Sequence, residues 1–100
     1  MSCGKIASQV GHAFVECSRL ADPSIYSEYR YDSFGTKVVL VAPNLQALLK
    51  AYQDAQALGL TCFLVEDSGP NVFDGIPTIT ALGIGPCYRN KVTSRFNLLP

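Results

Sequence analysis

The sequence predicts an α/β fold in three layers, α/β/α, with helices on both faces of a small mixed sheet. Residues 37–42 (KVVLVA) and 61–66 (TCFLVE) are short β-branched runs of the kind that parallel sheets bury on both faces. Between them, residues 45–58 repeat their apolar side chains at helical spacing. Strand, helix and strand in that order predict a right-handed βαβ unit with parallel strands. Residues 78–83 (TITALG) supply a further strand.

Taken in order, Ser2 is placed to cap a helix reaching about Leu20. Ile6, Val10, Ala13, Phe14 and Cys17 recur at helical spacing as its expected buried stripe, and Lys5, Gln9, His12 and Glu16 form a neighbouring polar one. Residues 21–36 are polar and aromatic, with Tyr26, Tyr29, Tyr31 and Phe34, and Asp22-Pro23 can open a short helical turn. The 37–42 strand is broken by Pro43-Asn44, and Asn44 can cap the helix whose apolar face is Leu45, Leu48, Leu49 and Tyr52. Gly59 is a suitable stop. The loop at 67–77 (DSGPNVFDGIP) follows a strand's C-terminal end, where open α/β sheets place ligands. Gly85-Pro86 ends the strand that follows, and residues 88–93 can form one more helical turn. Val38, Val39, Leu40, Val41, Phe63, Leu64, Val65, Leu82 and Ile84 are the expected sheet core, with Phe14 and Leu48 packed on it.

At 100 residues the chain is one domain, 1–100, without repeats or linkers. A domain of this size buries roughly 65% of its unfolded surface, enough for one core without staples. Charged residues are 16% of the chain, below the usual share of about 25%, while hydrophobic ones are 48%. That balance excludes disorder and suggests that part of the surface is covered by another copy. The formal charge of zero argues against a strongly basic nucleic-acid binder and leaves room for a local patch. No apolar run approaches the roughly 18 residues of a membrane span. No targeting segment is visible at the start, so the expected location is cytoplasmic. Cys3, Cys17, Cys62 and Cys87 are scattered without a CxxC pair, a poor pattern for zinc; Cys17 and Cys62 read as small core residues.

Three constellations could carry chemistry, and each has an ordinary structural reading beside it. Lys5, Gln9 and His12 put a cation, an amide and an imidazole on one helix stripe, able to bind a phosphate or polarise a carbonyl, or simply a solvated face. Asp67, at the end of a strand and before Ser68-Gly69, could position water or orient a lysine, or cap a turn. Thr78 and Thr80 could present hydroxyls from alternate strand positions, or merely reflect strand propensity.

Read together, residues 4–13 (GKIASQVGHA), 35–42 (GTKVVLVA), 59–69 (GLTCFLVEDSG) and 78–86 (TITALGIGP) resemble the type II peptidyl-tRNA hydrolase family. Its members typically read Gly-Lys-Ile-Ala-Ala-Gln-x-x-His-Ala, then Lys-Val-Val-Leu, Asp-Ala-Gly, and Thr-x-Thr-x-Leu-x-Ile-Gly-Pro. The closing KVTSRFNLLP is also similar to the family's tail, and only residues 21–34 are unmatched. The resemblance implies a mixed sheet flanked by helices, a homodimer, no metal or other cofactor, and peptidyl-tRNA as substrate. The reaction implied is cleavage of the ester between a peptide and the 3′ end of tRNA. By position it assigns catalytic roles to Lys5, Asp67 and Thr80, and places Gln9, His12 and Thr78 as substrate-binding residues of the same cleft. Asn71, in a loop that departs from the family, is expected to donate a hydrogen bond to substrate without reproducing a threonine's geometry.

The chain departs from the family pattern twice. A valine-rich strand ordinarily precedes the glycine-lysine helix, and here Met1 stands directly before Ser2-Cys3-Gly4, so that strand is expected to be missing and its neighbours left with unpaired backbone. The loop also carries Pro70-Asn71-Val72 where the family has a basic residue and a threonine. These departures keep a second function class beside the hydrolase: a catalytically weak or inactive relative serving as an RNA or protein interaction module.

Overall fold

A computed structural model describes residues 2–67 and 78–88. Helix α1 runs Cys3–Leu20, and the Ser2 hydroxyl accepts a hydrogen bond from the Lys5 backbone N–H, supplying one of the partners that a helix start lacks. Its buried positions are Gln9, Ala13 and Cys17, one turn apart. The expected stripe through Ile6, Val10 and Phe14 is therefore rotated: Val10 and Phe14 are half-buried and Ile6 is exposed. The reason is steric. A Cβ added at Gly83 would lie 2.5 Å from Cys17 Sγ and 2.9 Å from the Ala13 carbonyl, so the helix meets the sheet through its smallest side chains.

Asp22 opens helix α2, Pro23–Ser27, as expected, with Pro23 in its first turn and the Asp22 carboxylate accepting from the N–H groups of Ser24 and Ile25. A π-helical turn, Glu28–Asp32, continues it. Helix α3, Leu45–Ala57, is capped by Asn44, whose side chain accepts from Ala47 N–H at 2.8 Å. At its far end Leu60 N–H bonds the Ala55 carbonyl and Gly59 N–H bonds the Gln56 carbonyl, a Schellman closure. That closure needs the positive φ of 71° that Gly59 adopts. Ala51 and Ala55 are its buried residues; Leu48, Leu49 and Tyr52 are half-buried and Leu45 is exposed.

Strands β1, Cys62–Asp67, and β2, Thr78–Ile84, pair antiparallel, with Cys62 opposite Ile84 and Asp67 opposite Thr78. Among the described residues this is a two-stranded sheet, and both α1 and α3 pack against it. The chain is thus α/β, but among the described residues the expected parallel βαβ unit and mixed sheet do not form. Residues 37–42 are extended with a single bridge at Val41, and Val38, Val39, Leu40 and Val41 are exposed. β-Branched residues favour an extended backbone, but that preference does not by itself supply a partner strand, and residues 37–42 pair no further than the bridge at Val41 among the described residues. Among the described residues the buried apolar side chains are Ala13, Cys17, Ala51, Ala55 and Val65, while Phe63, Leu64, Leu82 and Ile84 are half-buried. The turn expected at residues 88–93 lies outside the described residues, save Tyr88.

Candidate active site

One face of α1 delivers two polar side chains to the end of the sheet. Lys5 and Gln9 are one turn apart and share a face, and Asp67 closes β1 on the side toward α1. Lys5 Nζ stands 2.7 Å from Asp67 Oδ2, and Gln9 Nε2 donates to the same oxygen at 3.2 Å. The Asp67 side chain keeps 10% of its exposure and that of Lys5 keeps 34%, so the pair sits at a rim, half withdrawn from water. Hydrogen bonds between charged partners are shorter and roughly twice as strong as neutral ones, and partial burial adds to that.

Thr80 joins from β2, and it needs a local irregularity to do so. Val65 and Glu66 are consecutive on β1 but pair with Ala81 and Ile79, leaving Thr80 as the extra residue of a β-bulge. In an unbroken strand Thr80 and Gly83, three apart, would point to opposite faces. Gly83 meets α1 through Ala13 and Cys17, yet Thr80 Oγ1 also reaches α1, donating to Gln9 Oε1 at 2.8 Å. The bulge thus re-aims the hydroxyl. The Val65 carbonyl is a second, longer acceptor for it at 3.3 Å.

The structure therefore brings together Lys5, Gln9, Asp67 and Thr80, which are up to 75 positions apart in the chain. Thr78 is Asp67's cross-strand neighbour and half-buried. His12 is exposed on α1, and the bonds above do not include it. Asn71 lies outside the described residues. Two parts of the arrangement were not foreseen: the carbonyl of Val65, and the bulge itself. The close approach at Gly83 did have a sequence signal, a lone glycine inside a strand pattern. Cys17, farther along the same buried face of α1 and against Gly83, has its thiol pKa pushed up to about 11, chiefly by burial, with Cys62 and Glu16 adding to it.

On this geometry the comparison with known proteins is direct. The family model for peptidyl-tRNA hydrolase PTH2 matches residues 1–100. The chain belongs to the peptidyl-tRNA hydrolase PTH2 family. It is 33% identical to a Thermoplasma acidophilum protein named peptidyl-tRNA hydrolase, covering 99% of this chain and 88% of that one. It is 34% identical to the protein of that name from Sulfurisphaera tokodaii, with the same coverage. It is also 33% identical to a Bos taurus protein named peptidyl-tRNA hydrolase 2, mitochondrial, covering 98% of this chain and 57% of that protein. The chain thus spans most of the archaeal relatives and rather more than half of the mitochondrial one. Relative to the PTH2 family pattern, the Gly-Lys-Ile-Ala segment, the strand-end aspartate and the Thr-x-Thr strand are the parts that meet in this cluster. Among the described residues no helix is long and apolar enough to cross a membrane.

Proposed function

We propose that this chain hydrolyses peptidyl-tRNA at the Lys5–Asp67–Thr80 cluster. Water adds to the ester carbonyl carbon, the bond to the ribose oxygen breaks, and the products are a free peptide carboxylate and the tRNA 3′-terminal hydroxyl. The observation that carries the reading is the 2.7 Å contact between Lys5 Nζ and Asp67 Oδ2, flanked by Thr80. Asp67 holds the ammonium in place, and Lys5 supplies positive charge where the ester oxygen, or the phosphate of the terminal nucleotide, becomes or is anionic. Thr80 adds a hydroxyl next to them. His12, exposed on the same helix, and Thr78, beside Asp67, are read as cleft walls, and Asn71 as a further contact to substrate.

The protein is further read as a cytoplasmic homodimer. Its four cysteines are free thiols, which fits a reducing compartment. Val38, Val39 and Val41 expose an apolar extended edge that a second copy could cover. The test of the activity is release of free tRNA from a model peptidyl-tRNA by the purified protein. Turnover that Lys5→Ala and Asp67→Asn abolish supports the assignment. Lack of turnover by a well-folded parent protein contradicts it.

A further inference from the structure

We infer that Gln9 is a positioning residue whose amide fixes the direction of the Thr80 hydroxyl, making Thr80 a hydrogen-bond acceptor toward the cleft. The inference deepens the hydrolase reading and rests on it for its kinetic part. Gln9 is only 5% exposed and spans the two strand residues, so it is poorly placed to touch a substrate itself.

The direction follows from which atoms can donate. Asp67 Oδ2 already receives the Lys5 ammonium at 2.7 Å, so it is an ionised carboxylate oxygen and only accepts. The amide nitrogen of Gln9 must therefore face Asp67, at 3.2 Å, because its carbonyl there would meet like charge. Oε1 is left facing Thr80 at 2.8 Å, where it can only accept. The other neighbour of Thr80 Oγ1, the Val65 carbonyl at 3.3 Å, can only accept as well. A threonine has one hydroxyl proton, and both of these protein partners demand it. Seen from the cleft, Oγ1 then offers lone pairs and no proton.

That assigns the work. Thr80 accepts a hydrogen bond from the attacking water and so orients that oxygen nucleophile. It does not donate to the oxyanion, which is left to Lys5. The chain of bonds from Lys5 through Asp67 and Gln9 to Thr80 couples the cation's position to that of the water.

The test uses the full chain and steady-state cleavage of a model peptidyl-tRNA. Gln9→Met keeps length and removes both polar ends. We expect kcat to fall about 10²-fold, the scale of an ångström misplacement in a reacting group. KM should stay within about twofold, since no substrate contact is lost. Thr80→Val should do the same, the Gln9→Met/Thr80→Val pair should be little worse than either alone, and Thr80→Ser should restore most of the rate. A raised KM with kcat intact makes Gln9 a substrate contact and overturns the proposal, as do additive losses in the double variant. Should the parent protein release no tRNA, the hydrolase reading fails separately, and the clamp is judged by the Gln9 side-chain amide signals in a nitrogen-correlated NMR spectrum. Those signals must shift in both Asp67→Asn and Thr80→Val; signals unmoved in either variant overturn it.

Discussion

At the scale of single residues, the smallest side chains set the geometry that the charged ones use. Gly83, Ala13 and Cys17 let α1 lie against β2 closely enough for Gln9 to reach across to Asp67 and Thr80. Gly83→Ala would place a methyl 2.5 Å from the Cys17 sulfur and 2.9 Å from the Ala13 carbonyl, of which the second is backbone and cannot swing aside. Overpacking of this kind costs typically about 1–3 kcal/mol, so the midpoint of denaturant unfolding should drop with the slope unchanged. An undiminished midpoint would show that the helix is not seated as described. Lys5 and Asp67 were legible in the sequence because a cation on a helix stripe and a carboxylate at a strand end are local patterns. Gln9's burial was not, because helical spacing places it on the polar stripe and only the sheet's approach decides that it is covered.

The helices follow their local chemistry more closely than the strands do. Ser2, Asp22 and Asn44 all accept the hydrogen bonds expected of caps, and Gly59 closes α3, because caps depend on residues within one turn. The edge at residues 37–42 depends on a partner strand that a propensity cannot supply, and the bulge at Thr80 depends on the register between two strands; neither is written in local sequence. The cap of α2 also makes a pH-dependent statement. Hydrogen bonds from the Ser24 hydroxyl, then from the Ser24 and Ile25 N–H groups, hold the Asp22 carboxyl below its ordinary value. A depressed folded-state pKa means stability that is complete above the unfolded value of about 3.9 and lost as the pH falls through the folded one. Asp22→Asn keeps the cap without the charge. The difference in unfolding midpoint between the parent and Asp22→Asn should therefore change below about pH 4 and be level above it. A difference that stays constant through the acid range would contradict the cap.

For the molecule as a whole, the apolar surface is as informative as the core. Cys3, Ile6, Ala7, Val10, Gly11 and Phe14 of α1, with Val39, line an open groove of ≈ 480 Å³, beside an extended segment whose valines face water. Such an edge pairs readily with another chain. The expected outcome in sedimentation is a mass that rises with concentration toward a dimer; a monomer at every concentration, without aggregation, argues against it. The most direct measurement remains cleavage of a model peptidyl-tRNA by the parent protein, Lys5→Ala and Asp67→Asn, each with its thermal melt recorded in parallel. Losing one preorganised contact to developing charge costs about 10²–10³ in rate, so Lys5→Ala should fall by that much, and Asp67→Asn should lose turnover while both still unfold cooperatively. Free tRNA released at the parent rate by both folded variants would contradict the assignment of this cluster.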